Sequence, residues 1–294
     1  MLNRTIKFLG TFSGTAANSS QMTFEVPRNG TYYGFIIKAV KSTGALTDAE
    51  LSTVFGDVEF LINAETIIKE PALRLKQIFQ TMAKRSVADD GLIPISSYIP
   101  YWDLLNQRYS LGYSLNGVTS ATLRLNIAAI GALTGLSFQV YADVDTTDTA
   151  TLGAHLRIQY QDISCGALGS FDNNTVNTYG KGYGLIAQHF ELVGGTAPTI
   201  DNIFVDINNR NLQDNILVSV YNLFDGVSRR ESVVGTSPFA LSLNWDGANV
   251  PIDSKGVFGI LPMGDAYKYR LRATVGGTAA PTSIRIHSVY CGGI

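Results

Sequence analysis

Cysteine is nearly absent from the 294 residues: only Cys165 and Cys291 occur, in the contexts SCGAL and YCGGI. They form no CxxC and no disulfide pattern, which fits a chain made in a reducing compartment. Charge is also scarce, at 16% of residues and a net −2. With no run of five like charges, the footprint of a nucleic-acid binder is missing, and direct genome binding is not expected. Long apolar runs are lacking too. The longest nearly uncharged stretch, Ile127 to Leu136, is about half of what a membrane span needs, and MLNRTIKFLGTFSG has no sustained apolar core before a cleavage site. The chain is expected to be neither exported by a standard signal peptide nor integral to a membrane. Four sequons, at Asn3, Asn18, Asn29 and Asn173, matter only in a eukaryotic secretory route and are read as chance.

What is present is apolar residue, 45% of the chain. That excludes disorder and suggests a protein that hides much of its surface in an assembly. Most of it lies in short stretches with period-two alternation, separated by Gly, Asn, Asp, Thr and Pro clusters about ten residues apart. Clear strands are Tyr33 to Val40, Val58 to Ile62, Thr122 to Ile127, Leu136 to Val144, Ile203 to Ile207, Phe239 to Asn244, Tyr267 to Val275 and Ser283 to Tyr290. Two segments predict helix. Leu73, Leu75, Ile78, Phe79 and Met82 recur at helical spacing over Ala72 to Lys84. Asp214 caps a second run, Asn215 to Phe224, with Ile216, Leu217, Val220 and Phe224 on one stripe.

The order of these elements occurs twice. Tyr33-Gly34-Phe35-Ile36 aligns with Tyr183-Gly184-Leu185-Ile186 at an offset of 150, and Val58 to Asn63 with Ile203 to Asn208 at 145. Leu123 to Val144 runs without a gap onto Tyr269 to Tyr290 at 146, pairing Phe138 with Ile284 and Val140 with Ile286. Such a period is too long for a solenoid or a propeller blade. The reading is therefore all-β: two tandem eight-stranded jelly-roll barrels, each with a short helix in a connection. Residues 1–19 form an N-terminal arm, 20–145 the first jelly roll, 146–150 a polar linker and 151–294 the second.

The search for chemistry assigns no catalytic, cofactor-binding or metal-binding residue. His155, His189 and His287 are isolated, without the His pairs and Glu that a two-domain cupin shows in each barrel. Gly180-Lys181-Gly182-Tyr183-Gly184 precedes a strand and lacks the Lys-Ser/Thr ending of a phosphate loop, so it reads as a turn. Gly112-Tyr113-Ser114-Leu115-Asn116 fails as a nucleophile elbow at its last position. Asp143, Asp145 and Asp148 offer hard oxygen ligands to a cation, but without the following Gly and twelfth-position Glu of an EF-hand they read as a solvated linker. Tyr98, Tyr101, Trp102, Tyr109 and Tyr113 are the densest aromatic group, suited to core packing, a protein interface or a sugar-binding surface.

Strand, Asn turn and return strand VEFLINAETIIKEP, the helix ALRLKQIFQTMAKR, then GLIPI and VTSATLRLNI are echoed by IFVDIN, ILVSVYNLF, FALSLNW and YKYRLRATV. In this arrangement the chain resembles, over nearly its whole length, the double jelly-roll major capsid proteins of tailless icosahedral membrane-containing bacteriophages (the corticovirus, finnlakevirus and tectivirus lineage), in their compact, loop-poor form. The resemblance implies a non-enzymatic structural protein without cofactors, located in the capsid shell of a virion and made in the host cytoplasm. It implies homotrimers with a near-hexagonal footprint and lateral trimer–trimer contacts. It also implies a separate penton or vertex protein, and contact of the N-terminal arm with an internal membrane. Two readings of another class are a two-domain β-sandwich that binds carbohydrate or a receptor, with Tyr98 to Tyr113 as its best feature, and a glycan hydrolase with an unlocated carboxylate pair. For the arm, docking as an edge strand on a barrel competes with the membrane contact, and its removal is expected to leave both barrels folded.

Overall fold

The computed structural model describes residues 4–83, 90–97, 111–174, 183–207, 210–218, 239, 241–244, 261–263 and 269–292. The chain divides into two compact units, Met1–Gln159 with Gly292–Ile294, and Tyr160–Cys291.

In the first unit, β3 (Thr31–Lys41) is the organising strand. Its alternating buried and part-exposed residues are the signature of a sheet with one face in a core. One edge of β3 pairs antiparallel with β10 (Ser137–Asp145). The other is filled in succession by β8 (Tyr113–Ser114), β7 (Leu92–Ser96) and β4 (Gly44–Ala45). Beyond β10 lies β1 (Thr5–Thr11), so the order is β1-β10-β3-β7. The facing sheet runs β6 (Glu65–Pro71), β5 (Phe55–Ile62), β9 (Ala121–Ile127), β2 (Gln21–Glu25). Between the sheets Phe35, Phe60 and Tyr113 meet with ring centroids 5.2 and 5.1 Å apart, and Phe55 meets Phe138 edge-on at 5.1 Å.

The stretch read as an arm is thus part of a barrel. Pairing with β10 gives Thr5 to Thr11 the hydrogen bonds that it cannot make alone, and Phe12 is buried with its ring 5.9 Å from that of Phe24. Removing residues 1–12 would strip an edge strand from the sheet, so of the two docking readings the structure has the edge strand, on the chain's own barrel.

The helix expected from Ala72 is α2 (Ala72–Ala83), with Leu75, Ile78 and Met82 buried as the spacing requires, while Lys84 lies outside the described residues. A second helix, α1 (Asp48–Val54), had a legible signal that the periodicity scan passed over. Thr47-Asp48-Ala49-Glu50 forms a capping box: the Thr47 hydroxyl accepts from the Glu50 N–H, and the Glu50 carboxylate accepts from the Thr47 N–H. Fully buried Lys76 on α2 reaches Asp48 at 2.6 Å and ties the two helices together.

The second unit repeats the plan. One sheet runs β12 (Gly169–Asn173), β18 (Tyr269–Gly276), β14 (Thr199–Ile207), β15 (Arg210–Leu217). The other joins β11 (His155–Ser164), β19 (Ser283–Gly292) and β13 (Tyr183–Val193), with β16 (Leu241–Asn244) and β17 (Leu261–Met263) along the far edge of β13. Phe60 on β5 and Val205 on β14 hold corresponding places, as do Val140 on β10 and Ile286 on β19. Register differs in one respect. Phe60 faces Leu123, whereas Val205 faces Leu271 rather than Tyr269. A slide of two residues keeps every side chain on its own face, so the core survives it.

One helix start is corrected. Asn215, Ile216 and Leu217 belong to β15, where Ile216 faces Ile203 and Leu217 faces Asn202. The short apolar run satisfies either period, and antiparallel pairing in a hairpin decides it for strand. The remainder of that expected helix, from 219 to 224, lies outside the described residues.

Candidate interaction surface

The groups that chemistry would need are dispersed. His155 is buried, its Nδ1 2.9 Å from the Gly153 carbonyl, and burial holds its pKa below the ordinary value. His189 and His287 flank the Phe239 ring at centroid distances of 5.0 and 5.4 Å. Cys291 is buried and its thiol is pushed up to about 12, which keeps it protonated and unreactive near neutrality. The three aspartates do not converge. Asp143 takes Arg4, Asp145 accepts from the Thr147 hydroxyl at 2.6 Å, and Asp148 accepts from Thr31 Oγ1 at 2.7 Å. Ser114 shares a 2.8 Å hydrogen bond with Thr31, and the buried Tyr113 hydroxyl donates to the Leu156 carbonyl at 3.0 Å. Tyr98, Tyr101, Trp102, Tyr109 and the turn Gly180 to Gly182 lie outside the described residues.

A surface feature emerges where strand alternation places side chains away from the first core. On β10 the inward residues are Phe138, Val140, Ala142 and Val144, which sends Gln139, Tyr141 and Asp143 outward. Register then aligns Phe8, Tyr141, Ile36 and Pro94 across β1, β10, β3 and β7, with the Phe8 and Tyr141 rings 5.3 Å apart. The neighbouring row is Ile6, Asp143, Gly34 and Ser96. Gly34 has no side chain to fill that row, and a Cβ there would come within 3.1 Å of the Ile95 carbonyl oxygen. The result is an apolar hollow of about 280 Å³ lined by Ile6, Tyr33, Ile36, Phe79, Pro94 and Tyr141. At its rim the Arg4 guanidinium lies 4.7 Å above the Tyr33 ring and donates through Nε to Asp143 at 3.1 Å. Burial, then the charges of Asp148 and Asp145, raise the Tyr33 pKa and keep the hydroxyl neutral. Ile6, Phe8 and Ile36 are 81%, 57% and 42% exposed.

In the sequence Arg4, Ile6 and Phe8 are legible as contact groups of the N-terminal arm, whereas Ile36 and Tyr141 are not, because only register sets them beside that strand.

The corresponding face of the second unit is closed. The 146 offset carries Gln139 to Arg285 and Tyr141 to His287. Arg285 donates to both carboxylate oxygens of Asp162 at 2.7 and 2.8 Å and lies 4.6 Å above the Tyr160 ring. The Asp162 carboxylate raises its pKa further. Fully buried His287 has Nε2 3.2 Å from Glu191 Oε2 and its ring 6.1 Å from that of Tyr160.

No protein-family model matches the chain, and no curated protein matches it in sequence. Solved structures do match. The major capsid protein P2 from bacteriophage PM2 is 13% identical, with 98% of this chain and 97% of that chain covered and a TM-score of 0.76. The PBCV-1 virus capsid gives 14% identity, 99% and 94% coverage and a TM-score of 0.62, and the Faustovirus major capsid protein 7%, 99% and 90%, and 0.60. Similarity over both units at such low identity is a statement about architecture: the chain has the double jelly-roll fold of these viral major capsid proteins.

Proposed function

We propose that the chain is a major capsid protein, a structural subunit of an icosahedral virion shell. The observation that carries this reading is the end-to-end correspondence with the PM2 protein, 98% of one chain on 97% of the other. Neither unit is left over for another task, and no enzymatic family is indicated among the similar structures. The low charge and abundant apolar surface suit a protein that buries its sides against copies of itself.

In this reading the segments 20–145, joined by β1 as an edge strand, and 151–294 are the two barrels of an ancestral duplication. Three chains then place six similar wedges about a three-fold axis, a near-hexagonal tile that packs laterally with others. A separate vertex protein fills the five-fold positions. One rim of the tile faces an internal membrane. Light scattering on the purified protein should give a mass about three times 31.7 kDa, with larger associations at higher concentration. A stable monomer at micromolar concentration overturns the reading. Of the aromatic group behind the carbohydrate-binding alternative, Tyr113 is buried in the core and the other four lie outside the described residues.

A further inference from the structure

We infer that the open outer face of the β1-β10-β3 sheet, Ile6, Phe8, Ile36 and Tyr141 around the hollow, is where a second copy of this chain docks. The inference deepens the capsid reading and rests on it. Three exposed side chains of this size leave on the order of 300 Å² of contiguous apolar surface, within the range of the largest patch on a typical monomer. A standard interface takes roughly 800 Å² from each partner, so the patch supplies a large part of one side.

The second observation is the strand that carries it. Among the described residues β1 pairs only with β10, and residues 5–8 are exposed on both faces of the sheet. An edge strand of this kind is a template for another chain, and its safeguards here are modest: Lys7, and a register shift between Phe8 and Gly10.

Charge decides between occupants. Arg4 at the rim is neutralised by Asp143, leaving Lys7 on the edge strand and Lys38 in the Gln139 row as the cations beside the patch; at about 1 kcal/mol each they give an anionic lipid surface little attraction. Hydrocarbon would also leave the edge N–H and C=O groups of β1 without partners, whereas a second protein chain or bridging water satisfies them. A matched ion pair beside an apolar patch fits a protein–protein contact, in which neither charge is buried alone.

The test is sedimentation of the wild type, Ile6→Lys and Phe8→Lys from 0.1 to 50 μM, with Leu217→Lys, an exposed leucine of the second unit, as control. The patch variants should weaken association at least tenfold and the control less than threefold. Because a lysine on β1 can itself disturb the strand, Lys7→Cys supplies a second readout: its maleimide labelling should be slowed at least tenfold in the assembled protein relative to the diluted one. Cys165 and Cys291 are buried and leave the background low. Assembly of both patch variants at wild-type concentrations, with Lys7→Cys labelled equally in both states, overturns the docking face and leaves the capsid reading intact. A wild type that stays monomeric overturns both. Patch variants that lose only binding to phosphatidylglycerol vesicles, while still associating normally, assign the face to a membrane and overturn the inference.

Discussion

Two sheets with the same strand order meet their surroundings in opposite ways. On the outer face of the first, Phe8, Tyr141 and Ile36 form an apolar row open to solvent. At the matching position of the second, Tyr160, His287 and Glu191 form a polar row in which His287 has no exposure. The inner faces stay alike: Phe138 and Val140 on β10, Ile284 and Ile286 on β19, all buried. Between the two sheets the side of each strand that packs into the core is alike and the side that faces outward differs.

The physical reason is the period of two. Inner positions are held by packing against a second sheet, where an unpaired polar group costs several kcal/mol. Outer positions are held only by what happens to cover them. In the second unit the cover is local: Phe239 sits between two histidine rings, and Arg285 spans Asp162 and Tyr160. In the first unit α2 reaches the hollow through Phe79, and β1 and β10 stay open. One chain thereby presents two unlike sides, which an assembly with non-equivalent contacts can use.

The largest effects should come from breaking what the two units share. Val140→Asp and Ile286→Asp each bury an unpaired carboxylate at corresponding points of the two cores, and each should cost at least about 3 kcal/mol by thermal or denaturant unfolding. A mild loss in either would break the equivalence of β10 and β19. Smaller effects should separate the outer faces. His287→Ala removes one partner of a nearly buried Glu191 carboxylate and should cost about 1–3 kcal/mol. Tyr141→Ala, at the matching position but only partly buried, should cost less than about 1 kcal/mol in the isolated protein. Equal losses at both positions would mean that the first face is covered too.

The parts of this structure that the sequence made legible are those governed by local period. Leu73 to Met82 announced α2 because only a helix gathers 75, 78 and 82 on one side. The strands were legible because alternation and order recur at nearly fixed offsets. Asn215 to Leu217 was misread because three residues cannot distinguish the periods, and the deciding contact, Ile216 with Ile203, comes from another strand. For the arm, edge-strand docking was legible but its partner was not: Thr5 to Thr11 pairs with β10, 128 to 139 residues away. The candidate surface was least legible, since it depends on the register that sets Phe8, Tyr141 and Ile36 side by side.

The smallest predicted effect is one of pH, and it separates folding from association. His155 sits in the first unit with its ring 6.1 Å from that of Tyr113, and burial, with the nearby Arg157 adding to it, disfavours its protonated form. Its folded-state pKa lies below the value of about 6.5 expected in the unfolded chain. Between those values the unfolded state binds more protons, so stability rises with pH; the contribution is complete above about 6.5 and is lost as pH falls toward the folded value. Unfolding of the wild type should therefore show a stability decline below pH 6.5 that His155→Gln reduces. The open face behaves differently. Histidine, the side chain that ordinarily changes charge between about pH 5.5 and 7.5, is absent from its strands β1, β3, β7 and β10. The association constant over that range should stay within about twofold while stability falls. A steep loss of association near pH 6, preserved in His155→Gln, would place a histidine in the contact and move the docking surface away from the first unit's open sheet.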